Sequence, residues 1–236
     1  MKTGEKQGRR AALICAEQLS RIYAMGSRRV VGVDRIDLCI EGGHLAVIKG
    51  NSGSGKSTLL SLLAGLDQPT AGRLYVADRP LHHAASADLT RFRRTVVGMV
   101  FQSFNLLPTL TVMENVVLPA LLAGFDAAHG QRRAEDLLQW LSMMHRREHL
   151  PGQLSGGEMQ RTAIARALIN DPEIILADEP TGNLDSRNAA SVIELLADLN
   201  RRWKRTVVIA THSDLADPVA TMEIRLSDGT VVAGNG

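Results

Sequence analysis

Short apolar runs alternate with stretches of helical periodicity along most of this chain. Runs of strand length cover residues 45–48, 97–101, 173–177 and 206–211, and helical spacing marks 56–64 and 186–200. This alternation is typical of an α/β fold with a largely parallel sheet, because the helices between parallel strands cover the sheet faces. The pattern therefore predicts an α/β fold.

Two segments near the start have a different pattern. Residues 12–16 and 34–40 are predicted strands, and the second places Ile36, Leu38 and Ile40 on one face and polar residues on the other. Such alternation indicates an antiparallel, half-covered sheet. At the other end, strands 222–226 and 230–233 around Asp228-Gly229 predict a closing hairpin.

Residues 103–154 are helical in character. Thr111 and Glu114 have the spacing of a capping box, and Gly124 is a plausible helix end. We expect a helical subdomain inserted over about 103–168 in a single domain spanning 11–236. Residues 1–10 are expected to be a flexible N-terminal segment.

Composition excludes several classes of protein. The 236 residues are 44% apolar and carry a net charge of +2. No window has the roughly 18–20 apolar residues that cross a bilayer, and the apolar run 11–16 is too short for a signal peptide. The basic clusters are scattered, which favours a solvated surface over a nucleic-acid groove. We therefore expect a chain that is at most peripheral to a membrane and binds no nucleic acid.

The cysteines and histidines do not form a metal-binding pattern. Cys15 and Cys39 lack C-x-x-C spacing, and we expect them to be buried free thiols rather than a disulfide or a metal site. His82-His83, and His145 with His149, have no third ligand in view. These histidines are interpreted as loop and surface residues.

A glycine-rich loop follows the strand 45–48 and precedes the helix 56–64. It fits G-x-x-x-x-G-K-[ST], in which backbone N–H groups wrap the phosphates of a nucleotide. The lysine would neutralise the β/γ oxygens and the following serine would hold Mg²⁺. The predicted nucleotide-binding residues here are Gly50, Asn51, Ser52, Gly53, Ser54, Gly55, Lys56, Ser57 and Thr58.

Asp178 and Glu179 end the apolar strand 173–177 at the same sheet edge where the phosphate loop opens. Asp178 suits the Mg²⁺ shell, and Glu179 can orient and polarise the attacking water, because phosphoryl transfer mainly requires positioning and charge stabilisation. The alternative is a strand-end acidic pair in solvent.

A second phosphate-binding helix start lies at Ser155, Gly156, Gly157 and Glu158. Ser155 and Glu158 have capping-box spacing, and the two glycines leave the backbone N–H groups unshielded. One nucleotide cannot use both helix starts of a single copy.

Taken together, the motifs resemble those of the ATP-binding cassette (ABC) superfamily. That family implies a P-loop ATPase with a RecA-like mixed-sheet core, an antiparallel β subdomain and an inserted helical subdomain. In it, the signature of one subunit, here 154–161, faces the ATP of another, which implies a homodimer. Gln102 then resembles the Q-loop glutamine that touches metal and water. Asp185 resembles the D-loop aspartate that reaches across the dimer, and His212 resembles the switch histidine at the γ-phosphate.

The resemblance also assigns a base-binding aromatic. Tyr23, in the predicted loop after the first strand, lies where the family places the aromatic that stacks on adenine, and the alternative is a tyrosine that covers the sheet. Glu179, His212 and Gln102 are thus the catalytic candidates, and Ser57, Gln102 and Asp178 are the candidates for binding Mg²⁺.

Segments 65–72, 104–111 and 177–185 look like those of the lipoprotein-releasing and macrolide-export group. Members of that group bind integral membrane permeases at the cytoplasmic face of the bacterial inner membrane. His44, Lys49 and Ser213 depart from the usual pattern, where glutamate, an apolar residue and aspartate are common. These departures weaken assignment to one transporter, because the absent membrane chain selects the cargo.

Two other functions remain as alternatives. A soluble ABC ATPase acting on DNA or ribosomes usually has a long coiled-coil insertion or two cassettes, and neither is present in this sequence. A kinase with a phosphate loop would have no use for the second anion-binding helix start. We therefore expect an ATP-hydrolysing subunit that energises a separate permease through ATP-driven dimerisation.

Overall fold

The computed structural model describes residues 12–26 and 28–235, so the prediction for residues 1–10 lies outside the described residues. Strands β1–β10 of this part form two sheets. Their bounds are Ala12–Met25, Arg28–Glu41, Leu45–Lys49, Ala71–Val76, Arg79–Pro80, Val97–Val100, Ile174–Asp178, Thr206–Thr211, Met222–Ser227 and Thr230–Asn235.

Six α-helices, α1–α6, are present in the described part. They span Lys56–Leu63, Ser86–Thr95, Val112–Leu122, Ala127–Trp140, Gly156–Leu168 and Ser186–Arg201. Short 3₁₀ helices cover Met144–Arg146, Pro151–Gln153 and Asp214–Val219. None of the helices in the described part combines the length and the apolar character needed to cross a membrane.

The larger sheet has the order β10-β9-β3-β8-β7-β6. Its strands are parallel except for β10, which forms the predicted antiparallel hairpin with β9. The phosphate-loop strand β3 lies inside this sheet, between β8 and β9. The ends of β3, β7 and β8 therefore meet at one edge, as an α/β fold requires.

The smaller sheet is antiparallel and has the order β2-β1-β4-β5. Ile36, Leu38 and Ile40 of β2 are buried while their neighbours are not, which confirms the predicted half-covered sheet. This sheet and α1 cover one face of the larger sheet. Helices α3, α4, α5 and α6 supply the second core on the other face.

The first hairpin is longer than the apolar pattern predicts. Strand β1 runs on to Met25, so Tyr23 lies within a strand and not in a loop after it. The polar pair Glu17-Gln18 interrupts the apolar pattern, and Gln18 has a φ of 47° beside shifts in the β1–β2 register. The strand continues through this irregularity because its pairing with β2 resumes beyond it.

The expectation of buried free thiols is wrong. Cys15 and Cys39 form a disulfide between β1 and β2, and Cys39 is exposed. The register places the two residues directly opposite each other with a Cα–Cα distance of 4.3 Å, and both side chains lie on the outer face of the sheet. Pairing across 24 residues could not be read from their spacing alone.

Candidate functional site

The phosphate loop joins β3 to α1 at the edge of the larger sheet. Gly55 caps α1 with a φ of 102°, in the left-handed region that favours glycine. A Cβ on Gly55 would lie 2.3 Å from the Gly32 carbonyl oxygen, and one on Gly50 would lie 2.4 Å from that of Leu226. The loop packs too closely on β2 and β9 for larger residues there.

Lys56 curls back over this loop. Its Nζ donates hydrogen bonds to the carbonyl oxygens of Gly50 at 2.7 Å and Asn51 at 3.1 Å, and it lies 3.6 Å from Oε1 of Glu179. The side chain is buried. Its positive charge is therefore fixed between the loop and the acidic strand end.

Ser57 and Asp178 meet across the start of α1 and the end of β7. The Ser57 Oγ donates to Asp178 Oδ1 at 3.0 Å. Burial raises the pKa of Asp178 and the Glu179 carboxylate raises it further, while the Ser57 hydrogen bond opposes the shift. A hydroxyl and a carboxylate oxygen side by side match the hard oxygen ligands of Mg²⁺, which would favour the ionised carboxylate.

Glu179 and His212 form a hydrogen-bonded pair. Nδ1 of His212 lies 3.0 Å from both carboxylate oxygens, and the His212 backbone N–H donates to Oε2 at 3.4 Å. Glu179 has a φ of 45° and its N–H donates to the carbonyl of Ala210. This left-handed backbone turns the carboxylate away from the path of Asp178, and its side chain is only 13% exposed.

Lys56, Ser57, Glu179 and His212 line one cavity of about 570 Å³. The predicted site residues Gly50, Ser54 and Asp178 lie behind its lining, and Asp178 is joined to it through Ser57. Gln102, just beyond β6, reaches it from the opposite side and packs against Gly182, whose Cβ would lie 2.8 Å from the amide nitrogen. The sequence-predicted residues that the cavity brings together are Tyr23, Asn51, Ser52, Gly53, Gly55, Lys56, Ser57, Thr58, Gln102, Glu179 and His212.

Tyr23 stands at the far end of this cavity. Its hydroxyl donates to Asp67 Oδ2 at 2.9 Å, and the Arg21 guanidinium lies over the ring, 4.6 Å from its centroid. The exposed side chains of Val30 and Val31 line the same end. An apolar wall beside an aromatic ring suits a flat purine. Sequence reasoning missed both valines, because exposed apolar residues in a strand carry no site signal of their own.

The signature helix α5 has the capping box that the sequence predicts. Ser155 Oγ accepts the N–H of Glu158 at 3.4 Å, and Glu158 Oε2 accepts the N–H of Ser155 at 2.8 Å. The backbone hydrogen bond from Ser155 is the main cause that lowers the pKa of Glu158 to about 2, and Arg146, whose Nε donates to Oε1 at 2.8 Å, contributes. Arg146 lies outside every recognised motif, and sequence reasoning missed it.

A close contact joins the signature helix to α6. A Cβ on Gly157 would lie 2.4 Å from the side-chain oxygen of Asn188. Asp185 caps α6 by accepting the Asn188 N–H at 2.9 Å, and it also accepts from the Asn188 amide at 2.6 Å. The small size of Gly157 therefore allows close helix packing, in addition to any role at an anion.

The two helix starts do not share the cavity. Ser155, Gly156, Gly157, Glu158 and Asp185 are absent from the described residues that line it, and Ser155 is exposed. One chain thus presents a nucleotide-shaped cavity and, separately, a second helix start with an exposed serine.

Comparison with known proteins shows the family. Residues 33–182 match the family described as "ABC transporter". The chain is 46% identical over 211 residues to the lipoprotein-releasing system ATP-binding protein LolD of Xanthomonas campestris pv. campestris (strain 8004), covering 89% of this chain and 87% of the relative. LolD of Xylella fastidiosa (strain 9a5c) is 46% identical over 200 residues, covering 85% of this chain and 83% of the relative.

Solved structures share the fold. The ATP-binding cassette MJ0796, described as a dimer in a post-hydrolysis state bound to ADP and Pi, has a TM-score of 0.88 at 38% identity, covering 94% of this chain and 97% of that one. CbiO1 of Clostridium perfringens, described as part of the ABC transporter complex cbiONQ, has a TM-score of 0.84 at 25% identity, covering 95% and 88%. On the family match and the identity to LolD, this chain belongs to the ABC transporter family as an ATP-binding, ATP-hydrolysing subunit.

Proposed function

We propose that this chain energises a lipoprotein-releasing transporter, with two copies enclosing two ATP molecules head to tail. The observation that carries the dimer is the separation of the cavity from the exposed signature start in one chain. Each ATP is held by Lys56 of one copy and by Ser155 and Gly157 of the other, and a relative described as dimeric with ADP and Pi supports this arrangement. The release of lipoproteins is inferred from the LolD relatives.

The side chains around the cavity have separate roles in ATP hydrolysis. Glu179 orients the attacking water, and His212, hydrogen-bonded to that carboxylate, contacts the γ-phosphate. Ser57, Asp178 and Gln102 would hold Mg²⁺, which supplies charge neutralisation of the β- and γ-phosphates when bound. Tyr23 stacks on adenine. The capping and positioning groups Glu158 and Asp185 hold the signature and the α6 start in place.

Helix α5 connects the site to a permease. Arg166, in its last turn, donates to the carbonyls of Phe104 and Asn105 just beyond Gln102. The signature stands at the other end of the same helix. Movement of the Gln102 loop is therefore passed along α5 to the surface that meets the second copy, as in lid-type closure.

A groove of about 250 Å³ beside this loop is the proposed permease contact. It is lined by Leu66, Met99, Phe101, Pro119, Arg166 and Asn170 among others. Its apolar lining with a few polar groups suits an amphipathic segment of a membrane protein. The chain would then be peripheral to the cytoplasmic face of the inner membrane. A soluble ABC ATPase in a DNA or ribosome complex is the alternative. A tagged chain purified from membranes should carry permease subunits, and recovery with ribosomes or DNA alone would favour that alternative.

Glu179→Gln tests the catalytic assignment. The amide keeps the size of the side chain but cannot accept a proton, so ATP turnover should fall at least about 100-fold while ATP binding is kept. Sizing chromatography with ATP should then show a stable dimer. Turnover near the wild-type rate would contradict the role given to Glu179.

Ser155→Arg tests the two-copy site. Because Ser155 is exposed and lies outside the cavity of its own chain, the variant should bind ATP as a monomer with wild-type affinity. Combined with Glu179→Gln, it should prevent the ATP-dependent dimer, because the arginine fills the space of the partner's γ-phosphate. Loss of ATP binding by the monomer would mean that the signature belongs to the site of its own chain.

A further inference from the structure

Lys49 is a largely covered cation that the proposed chemistry does not use. It ends β3, directly before Gly50, in a strand whose preceding four residues are fully buried and apolar. Its side chain is only 12% exposed. An ammonium group at such a place is costly unless it is paired, so its partners indicate its role.

Both partners come from the segment that follows His212. The Lys49 Nζ lies 2.6 Å from Asp214 Oδ1 and 2.5 Å from Asp217 Oδ2. Both aspartates belong to the 3₁₀ helix Asp214–Val219, two residues beyond the switch histidine. The ammonium is thus held between two carboxylates of one short helix.

The contact links β3 and β8, the two strands that lead to the phosphate loop and to His212. In the sheet, Lys49 is the register partner of Thr211 on β8, and His212 follows Thr211 directly. The backbone pairing of β3 with β8 ends at Lys49 and Thr211, and the Lys49 side chain extends the contact between the two segments beyond these residues. The loop that binds phosphate and the segment that carries His212 are therefore tied together past the end of the sheet.

An apolar side chain at this position could be buried without a charged or hydrogen-bonding partner. Lys49 is covered while Asp214 and Asp217 are open to solvent, so the pair adds little stability compared with apolar packing, and its main effect is on where the joined groups lie. Arg225 on β9 is the register partner of Lys49 on the other side, and it is held by Glu223 at 2.7 Å. Arg225 also acts by charge on Asp214 and Asp217, but Lys49 is the cation in direct contact with both of them.

We propose that Lys49 is a positioning residue that holds the His212 segment against the phosphate-loop strand, so that the imidazole stays directed at Glu179 and the γ-phosphate. This inference rests on the role proposed for His212. The reasoning predicts an effect on the rate of the chemical step and little effect on ATP affinity, because Lys49 does not line the nucleotide cavity.

Steady-state ATPase kinetics of Lys49→Met provide the first test. We expect kcat to fall about tenfold with KM for ATP within about twofold, since misplacement of a catalytic group costs rate. Lys49→Arg should restore most of the activity. Asp214→Asn with Asp217→Asn should reproduce the loss, and adding them to Lys49→Met should give little more. An unchanged kcat for Lys49→Met would overturn the inference.

Arg133→Met is the matched control. Arg133 pairs with Asp171 at 2.9 Å and donates to the carbonyl of Ile169 at 2.6 Å, just after α5 and away from the cavity. Its loss should change kcat less than about twofold. If this variant lowers kcat as much as Lys49→Met does, the effect is general destabilisation and the inference fails. Should Lys49→Met not fold, Asp214→Asn replaces it, because Asp214 is exposed.

The NMR signal of the His212 ring gives a readout that does not need turnover. The ¹⁵N resonances of His212, assigned by comparison with His212→Gln, should shift in Lys49→Met, while those of His82, which bonds to Leu74 in the antiparallel subdomain, should not. An unshifted His212 signal overturns the role of Lys49, even if His212→Gln itself lowers kcat.

The proposed role of His212 and the proposed role of Lys49 can be refuted independently. Full activity of His212→Gln would contradict the proposed role of His212, whatever the signal shows. If His212→Gln is impaired and Lys49→Met lowers its residual kcat by the same factor as in the wild type, Lys49 acts by another route and the inference is overturned.

Discussion

Replacement of Glu158 by glutamine should destabilise the chain in a pH-dependent way. Its carboxylate accepts hydrogen bonds from the backbone and side chain of Ser155, both at 2.8 Å, and from Arg146 at 2.8 Å. These donors lower the pKa of Glu158 from 4.5 to about 2. Both Ser155 hydrogen bonds go to Oε2, so the amide oxygen of glutamine can accept them, but its NH₂ group would then face Arg146, and the side chain carries no charge.

The lowered pKa bounds the loss of stability. A difference between 4.5 and about 2 corresponds to about 3 kcal/mol as an upper limit. Glu158 is 14% exposed and Arg146 is 35% exposed, so solvent screens part of this interaction. We expect a loss of about 1–2 kcal/mol in the free energy of unfolding at pH 7.

The sign of the pH dependence follows from the direction of the shift. Because the folded chain holds the Glu158 pKa below its unfolded value, the stabilisation is complete above about pH 4.5 and is lost as the pH falls towards 2. The difference between wild type and Glu158→Gln should therefore shrink as the pH is lowered from 7 to 3.

Urea unfolding followed by tryptophan fluorescence measures this difference. Trp140 and Trp203 have ring centroids 4.9 Å apart, so separating the helical subdomain from the core changes their signal. Glu114→Gln is the matched control, because Glu114 has the same capping box with Thr111 but no arginine. It should lose less stability. A difference that stays constant between pH 7 and 3 would refute the reasoning.

Two further substitutions test the base-binding end and the first hairpin. Gly32→Ala would place a Cβ 2.8 Å from Thr58 and 2.9 Å from the Tyr23 ring. We therefore expect the affinity for ATP to fall about tenfold in a fluorescent-nucleotide titration. Wild-type affinity would show that Tyr23 does not contact the base. Cys15→Ser should lower the free energy of unfolding by about 2–4 kcal/mol without reductant, and by much less in the presence of reductant. Equal losses in both conditions would exclude the disulfide with Cys39 as the cause.

Most of the fold follows from local patterns in the sequence. The helix starts at Thr111 and Ser155 are correct to the residue, because side chain and backbone satisfy each other within four residues. The β8 strand 206–211 is correct as well, since its apolar centre, 207–210, is buried on both faces of the sheet together with the flanking threonines. Strand β4 and helix α2 were not predicted, because α2 is mostly polar and buries only Leu89 and Phe92.

The cavity could be predicted only where a motif carries its own geometry. The phosphate loop and Asp178-Glu179 fall into place because parallel strands end at one sheet edge. In contrast, Tyr23 contacts Asp67, which is 44 residues away in the sequence, and Lys49 contacts Asp214, which is 165 residues away. Asp67 and Asp214 lie in connections between strands and helices, and such pairings depend on which distant segments the sheet order brings together, which no local pattern encodes.

The signature start and the D-loop aspartate are in contact through Asn188 within a single chain. Asp185 holds Asn188 by two hydrogen bonds, and Asn188 packs against Gly157 at a distance that a larger residue would not allow. Because both groups are predicted to reach a second copy, they must move towards it together. A contact made by Asp185 across the dimer would then also adjust the helix start at Ser155, which couples the two ends of the partner's nucleotide site through this chain. In the proposed two-copy arrangement, cooperative hydrolysis between the two sites is the expected consequence of this contact.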